Sequence, residues 1–188
     1  MQMTTWIAIP IKAPEACKTR LSPALPDAAR RELVAEMLRH VVGAATGVGE
    51  VRIIGPSRHG LPETVRLLDD PGGGLNAALA SALAAAAVGG VSRLVILAAD
   101  LPQLTHADVR ALADVAPGVL AIAPDRAGAG TNALSLPLPA ASDFRFQYGP
   151  GSFERHGAQA ARLGLRLEVI RSSTLGLDID QPEDLAAI

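Results

Sequence analysis

This chain has two lysines, Lys12 and Lys18, and both fall in one short loop with Arg20. The rest of its 17 basic residues are arginines. A lysine is a compact point charge on a flexible stem, suited to following a phosphate whose charge moves during reaction. The apolar run Ile7 to Ile11 leads straight into the loop, so a strand would deliver these cations at the edge of a sheet. A phosphate-handling loop fits that pattern. Solvated surface charge is the plainer reading of the same residues.

Carboxylates recur where such a loop would need them. The run Leu94 to Ala99 ends in Asp100, and Val119 to Ala123 is followed by Pro124-Asp125. Asp178 and Asp180 lie two apart in an extended piece, so they face the same way about 6.5–7 Å from each other along the chain. Two like charges on one face call for a cation, and with Asp100 they would make an oxygen-rich Mg²⁺ site. In the alternative reading, Asp180 caps a last helical turn ahead of Pro182 and Glu183, and Asp178 is solvated. Spacing alone favours neither.

Gly-rich turns at 72–74 and 128–130 can present backbone N–H groups to a phosphate or a base. Gly149-Pro150-Gly151-Ser152 leads into a helix and reads either as packing or as an anion seat at a helix N-terminus. His40, His59, His106 and His156 show no metal spacing and read as structural or surface residues. Cys17, flanked by basic residues, has a reason for a lowered thiol pKa. No His or Asn constellation supports it as a nucleophile, so it reads as a bystander.

The elements that must position these groups alternate. Strands are expected at 7–11, 51–54, 65–68, 94–99, 119–123, 133–136 and 166–170. Helices are expected after Pro26, after the Gly72–Asn76 turn, over 106–115 and over 152–163, with a capping-box pattern at Thr105 and Asp108. The pattern predicts an α/β domain with a mostly parallel sheet, one domain over residues 1–188. Ligands in such sheets collect beyond the carboxyl ends of the strands, where Lys12, Asp100 and Asp125 would stand.

Composition narrows the field. A net charge of −2 argues against broad nucleic-acid binding, and the single cysteine excludes a disulfide framework and fits a reducing compartment. The N-terminus lacks signal-peptide character, and the Ala-rich stretch 77–88 is too short to span a membrane, so a soluble cytoplasmic protein is expected. Oligomeric state stays open, a homodimer included.

Six motifs in order, IPIKAPEACKTRLSPAL, GGGLNAAL, AADLPQL, PDRAGAGTNAL, YGPGSFERH and DIDQPEDL, make the chain resemble the CofC/FbiD family of guanylyltransferases from about residue 6 to 188. The resemblance implies a three-layer α/β/α nucleotidyltransferase fold of the MobA-like (GT-A-like) type. It implies transfer of GMP from GTP to a small phosphorylated three-carbon acid in coenzyme F420 biosynthesis, the acid being 2-phospho-L-lactate, phosphoenolpyruvate or 3-phospho-D-glycerate. Carried over by motif, Thr131, Gly149 and Ser152 would hold the acceptor. Asp100 and Asp178, with Asp180, would bind Mg²⁺. Lys12, Lys18 and Arg20 would steady the triphosphate, and Gly73, Gly74 and Asn76 would contact guanine or ribose.

The chain departs from the family pattern at Cys17, where Ala is usual, at Tyr148, where Phe is usual, and at Gln181, where Thr is common. Two other readings stay in view. Molybdopterin and sugar-1-phosphate enzymes of the superfamily usually carry a Gly-rich L-x-x-G-x-x-x-R-x-x-x-K loop where this chain has Ile-Pro-Ile-Lys. A non-catalytic nucleotide-binding module would not need both the acidic groups and the Lys loop.

Overall fold

The computed structural model describes residues 4–188. Seven strands form one sheet: β1 (Thr5–Pro10), β2 (Glu50–Ile54), β3 (Arg66–Leu68), β4 (Arg93–Leu97), β5 (Val119–Pro124), β6 (Thr131–Pro137) and β7 (Arg166–Val169). Their order is β3-β2-β1-β4-β6-β5-β7. Strand β6 runs antiparallel to β4 and β5, and the other pairings are parallel.

The central strands are apolar on both faces, as a sheet covered on both sides requires. Ile7 and Ile9 of β1 point into one core with Val95 and Leu97 of β4 and Ala121 of β5. Trp6, Ala8, Leu94, Ile96 and Leu120 point into the other. Helices α1 (Asp27–Ala45) and α3 (His106–Ala113) cover the first face through Val34, Leu38, Val41, Val109 and Leu112. Helices α2 (Leu75–Val88) and α4 (Ser152–Arg162) cover the second through Ala78, Leu79, Ala82, Leu83 and Ala160. The result is the expected three-layer α/β/α arrangement.

The expected strands and helices are present, with ends moved by at most two residues. The run 94–99 pairs in the sheet only to Leu97. Ala98 N–H still donates to Asn132 O at 2.9 Å, and the chain then leaves the sheet towards Asp100.

One topological feature places the site. From β1 the chain crosses by α1 to β2 on one side, then returns by α2 on the opposite face to β4 on the other side. The connections therefore diverge between β1 and β4. The carboxyl ends of these strands flank a crevice, which is where open α/β sheets bind ligands. Arg93 at the start of β4 is almost wholly buried and donates to the carbonyls of Val115, Ala116 and Val119 and to Ser135 Oγ, pinning the far end of the sheet.

Candidate active site

The crevice holds a cavity of about 690 Å³, within the range of small-molecule sites. β1 and the loop after it contribute Lys12, Lys18 and Arg20, and the end of β4 contributes Ala98, Ala99 and Asp100. Gly74 and Leu75 open the first turn of α2 onto it, and Asn132, Tyr148, Gly149, Asp178 and Asp180 complete the far wall.

The Lys loop is folded against the protein by its apolar residues. Leu21 is fully buried, which stabilises the loop's seat by roughly 1.5–3 kcal/mol. Two 3-10 turns, Pro14–Ala16 and Thr19–Leu21, shape the loop. Lys18 precedes the second in a left-handed conformation (φ 51°), unusual for a residue with a side chain. From α1, the Arg30 guanidinium reaches the carbonyls of Cys17 (3.4 Å) and Lys18 (3.5 Å). Gly55, just past β2, lies so close that a Cβ there would sit 2.3 Å from Ile11 O. Only glycine lets the two chains meet at this point.

Lys18 Nζ stands between two carboxylates. It donates to Asp100 Oδ2, and to Asp180 Oδ1 at 2.7 Å. Burial opposes its charge, but Asp100 and then Asp180 outweigh that effect and hold its pKa above the ordinary lysine value. Asp178 is pushed the other way for a carboxylate. Burial raises its pKa most, the charges of Asp100 and Asp180 raise it further, and only the Asn132 amide (3.2 Å) and a backbone contact oppose this. Three carboxylates thus share the end of the cavity with one bonded ammonium.

These positions correct the plainer reading of Asp178 and Asp180. Asp178 is half-buried and bonded to Asn132. The last 3-10 turn, Pro182–Ala187, is capped by Gln181 and Asp184, whose carboxylate receives the N–H groups of Asp180 and Gln181. Asn132 was not singled out from the sequence. Its amide also donates to Leu175 O at 2.9 Å, so one buried side chain ties the C-terminal segment to β6 beside the cavity. An Asn next to a Thr at the start of an otherwise apolar strand was the available signal.

Among the described residues, no three His, Cys, Asp or Glu side chains are grouped as a formed metal site. The chemistry of the donors nonetheless suits a hard divalent ion, because all are carboxylate oxygens. Burial first, and then the charges of Asp100 and Asp180, disfavour ionised Asp178, so a cation beside it would relieve part of that strain. Ligation would require Lys18 Nζ to release a carboxylate.

Thr131 and Ser152 lie one step behind the cavity wall. Ser152 Oγ donates to Thr131 Oγ1 at 3.1 Å, and Thr131 Oγ1 lies 3.0 Å from His156 Nδ1. Both hydroxyl residues are buried, and His156 is fully so. Gly149 reaches the cavity itself with φ 119°, a backbone conformation suited to glycine. In the first turn of α4, Ser152 N–H is spent on Gly149 O and Phe153 N–H on Ala129 O. Asn76 uses its side chain on the backbone of Tyr148, accepting from its N–H (2.8 Å) and donating to its carbonyl (3.4 Å). Gly73 adjoins the cavity-lining Gly74.

Two expectations need correcting. Asp125 lies outside the cavity; its carboxylate accepts from Ala129 N–H at 2.9 Å and shapes the turn before β6, beside a separate small cleft with Arg126 and Arg171. Cys17 has no lowered pKa. Burial pushes its thiol up more than Lys18 pulls it down, and Sγ bonds Lys12 O.

The family model described as "Guanylyl transferase CofC like" matches residues 5–188. The chain belongs to this family. A phosphoenolpyruvate guanylyltransferase from Rubrobacter xylanophilus is 41% identical, covering 99% of this chain and 94% of its own. A 2-phospho-L-lactate guanylyltransferase from Methanosarcina acetivorans is 37% identical, covering 96% and 84%. A nucleotidyl transferase structure from Methanothermobacter thermautotroptrophicus superposes with a TM-score of 0.69 at 19% identity, covering 98% of this chain and 95% of that one. This CofC-like chain is therefore a nucleotidyltransferase in fold and an enzyme of guanylyl transfer by family. No described helix is long and apolar enough to cross a membrane.

Proposed function

We propose that this chain transfers GMP from GTP to the phosphate of a small phosphorylated three-carbon acid and releases pyrophosphate, as a cytoplasmic step of coenzyme F420 biosynthesis. The observation that carries the reading is the meeting of Lys12, Lys18, Arg20, Asp100, Asp178 and Asp180 around one cavity at the switch point of the sheet. Phosphoenolpyruvate is the first acceptor to test, because relatives from three genera that are 41%, 38% and 39% identical carry its name. 2-Phospho-L-lactate and 3-phospho-D-glycerate are the alternatives.

An acceptor phosphate oxygen attacks the α-phosphorus of GTP, the new P–O bond forms, and the bond to the β-phosphate bridging oxygen breaks. The attacking group is already ionised at neutral pH, so no base has to remove a proton. What the protein must supply is alignment of two anions and relief of their repulsion. Lys12, Lys18 and Arg20 supply mobile positive charge along the triphosphate. The first turn of α2, entered through Gly73 and Gly74, offers N–H groups and the positive end of a helix to the nucleotide. Asn76 belongs to the same turn and joins it to Tyr148. Gly149 at the cavity and the Thr131 hydroxyl just behind its wall hold the acceptor's phosphate and carboxylate, and Ser152 supports them by donating its hydroxyl to Thr131 and its N–H to Gly149 O. Asp100, Asp178 and Asp180 fit Mg²⁺, which when bound would neutralise phosphate charge and orient the oxygens around the α-phosphorus.

The test is incubation of the purified protein with GTP, Mg²⁺ and each of the three acids, reading the guanylylated product by mass. One acid should give product and stoichiometric pyrophosphate. Pyrophosphate or product with none of them would overturn the reading.

A further inference from the structure

His156 takes no part in the chemistry above, yet it is fully buried and both ring nitrogens are engaged, one by Thr131 and the other by the backbone of Gln147. Nε2 receives the Gln147 N–H at 2.9 Å. A backbone N–H can only donate, so Nε2 must be the unprotonated nitrogen. In a neutral imidazole the proton then lies on Nδ1, which faces Thr131 Oγ1 at 3.0 Å and donates to it. Burial, and after it the charge of Arg155, pushes the His156 pKa down to about 4, in keeping with a neutral ring.

Thr131 Oγ1 then receives two donors, His156 Nδ1–H and the Ser152 hydroxyl. Both acceptor positions of the oxygen are filled, and its own hydrogen is left to donate elsewhere. A hydroxyl left only to donate suits an acceptor oxygen, such as one of a phosphate or carboxylate. The same ring contact fixes the backbone at Gln147, next to the cavity-lining Tyr148 and Gly149. The ring is packed edge-on to Tyr148 with centroids 4.8 Å apart and tilted against Phe144 at 5.6 Å, so it has little freedom to turn.

We infer that His156 is a positioning residue for the acceptor: its Nδ1–H tautomer, fixed by the Gln147 N–H at Nε2, turns the Thr131 hydroxyl into an outward donor for the acceptor's phosphate or carboxylate oxygen. The inference rests on the proposal that Thr131 binds the acceptor. It extends that proposal to a side chain that never touches substrate.

Two conservative variants separate the ring's two contacts. In His156→Asn the amide N–H₂ takes the place of Nδ1–H and keeps the donor to Thr131. In His156→Gln the amide oxygen takes the place of Nε2 and keeps Gln147, losing the Thr131 donor. The acceptor KM should stay within about threefold of wild type in His156→Asn and rise about 10–100-fold in His156→Gln, with the GTP KM moving less than about threefold in both. Adding His156→Gln to Thr131→Val should raise the acceptor KM no further. Equal acceptor KM in the two variants, or a GTP KM that rises in step, would overturn the inference.

Thr131→Val alone tests the underlying proposal. If it leaves the acceptor KM unchanged, the acceptor pocket is wrong and the inference falls with it. If it raises the acceptor KM while His156→Gln does not, only the role of His156 falls. Nitrogen-15 NMR of the folded protein gives a readout independent of activity: a neutral ring with the proton on Nδ1 is expected, and a proton on Nε2 would contradict the inference.

Discussion

Lys18 Nζ donates to Asp180 Oδ1 at 2.7 Å across 162 positions of sequence, with Asp100 on its other side. The first loop of the chain and its last acidic motif are joined at the site through one ammonium group. Replacing Lys18 by Met leaves Asp100, Asp178 and Asp180 facing one another without it. We expect a stability loss of about 2 kcal/mol at neutral pH by urea unfolding. Lys18 titrates higher in the folded protein than when unfolded, so its contribution is complete below the ordinary lysine pKa near 10.4. It disappears as pH rises through the folded value. The gap between wild type and Lys18→Met should close at strongly alkaline pH, and a gap independent of pH would contradict the role of its charge.

Asp178 should show stability and activity moving apart. Its ionised form is disfavoured by burial and by two neighbouring carboxylates, so Asp178→Asn removes an unfavourable charge while keeping an oxygen for the Asn132 amide. The melting temperature at neutral pH should equal or exceed that of wild type, while turnover with Mg²⁺ falls by about 100-fold or more. A variant that melts lower and turns over normally would reverse the assignment.

Asn76 ties α2 to the acceptor loop through the Tyr148 backbone. Asn76→Ala frees both backbone groups, and steady-state kinetics should show the acceptor KM raised about tenfold with a smaller change for GTP. The opposite split would assign the side chain to the nucleotide instead.

The acid side of the stability profile should depend on Asp108. Its carboxylate completes the cap of α3 with Thr105, and it accepts from Ser172 Oγ (2.8 Å) and Thr174 Oγ1 (2.6 Å), holding the segment that leads to Asp178. Burial opposes its charge, but the Thr105, Thr174 and Ser172 bonds prevail and lower its pKa. A lowered folded pKa gives stability that is present above the ordinary value near 4 and is lost as pH falls through the folded one. Asp108→Ala should cost about 1–2 kcal/mol at pH 7, a few degrees in melting temperature, and the difference should shrink towards pH 2.

Much of this architecture is legible in the residues, for physical reasons that also set the limit. Ile7 to Ile11 and Leu94 to Ala99 announce buried strands because both faces of the sheet are covered. Asp100 and Lys12 announce a site because both follow such runs. The reversed direction of β6 is not legible: all seven of its residues are buried, and an apolar run carries no sign of its direction. The buried role of Arg93 is not legible either, since its four partners are 22 to 42 positions away. His156 reads as structural for the same reason: its contact with Thr131 spans 25 positions and exists only once α4 has packed against the sheet.

The central claim is that the cations of the first loop and the carboxylates of the middle and end join two phosphates. Its most direct measurement is guanylylated product formed from GTP, Mg²⁺ and phosphoenolpyruvate, followed by mass in wild type beside folded Asp100→Asn. We expect product from the wild type and turnover lower by about 100-fold or more in the variant. Equal turnover in the two folded proteins would contradict the account.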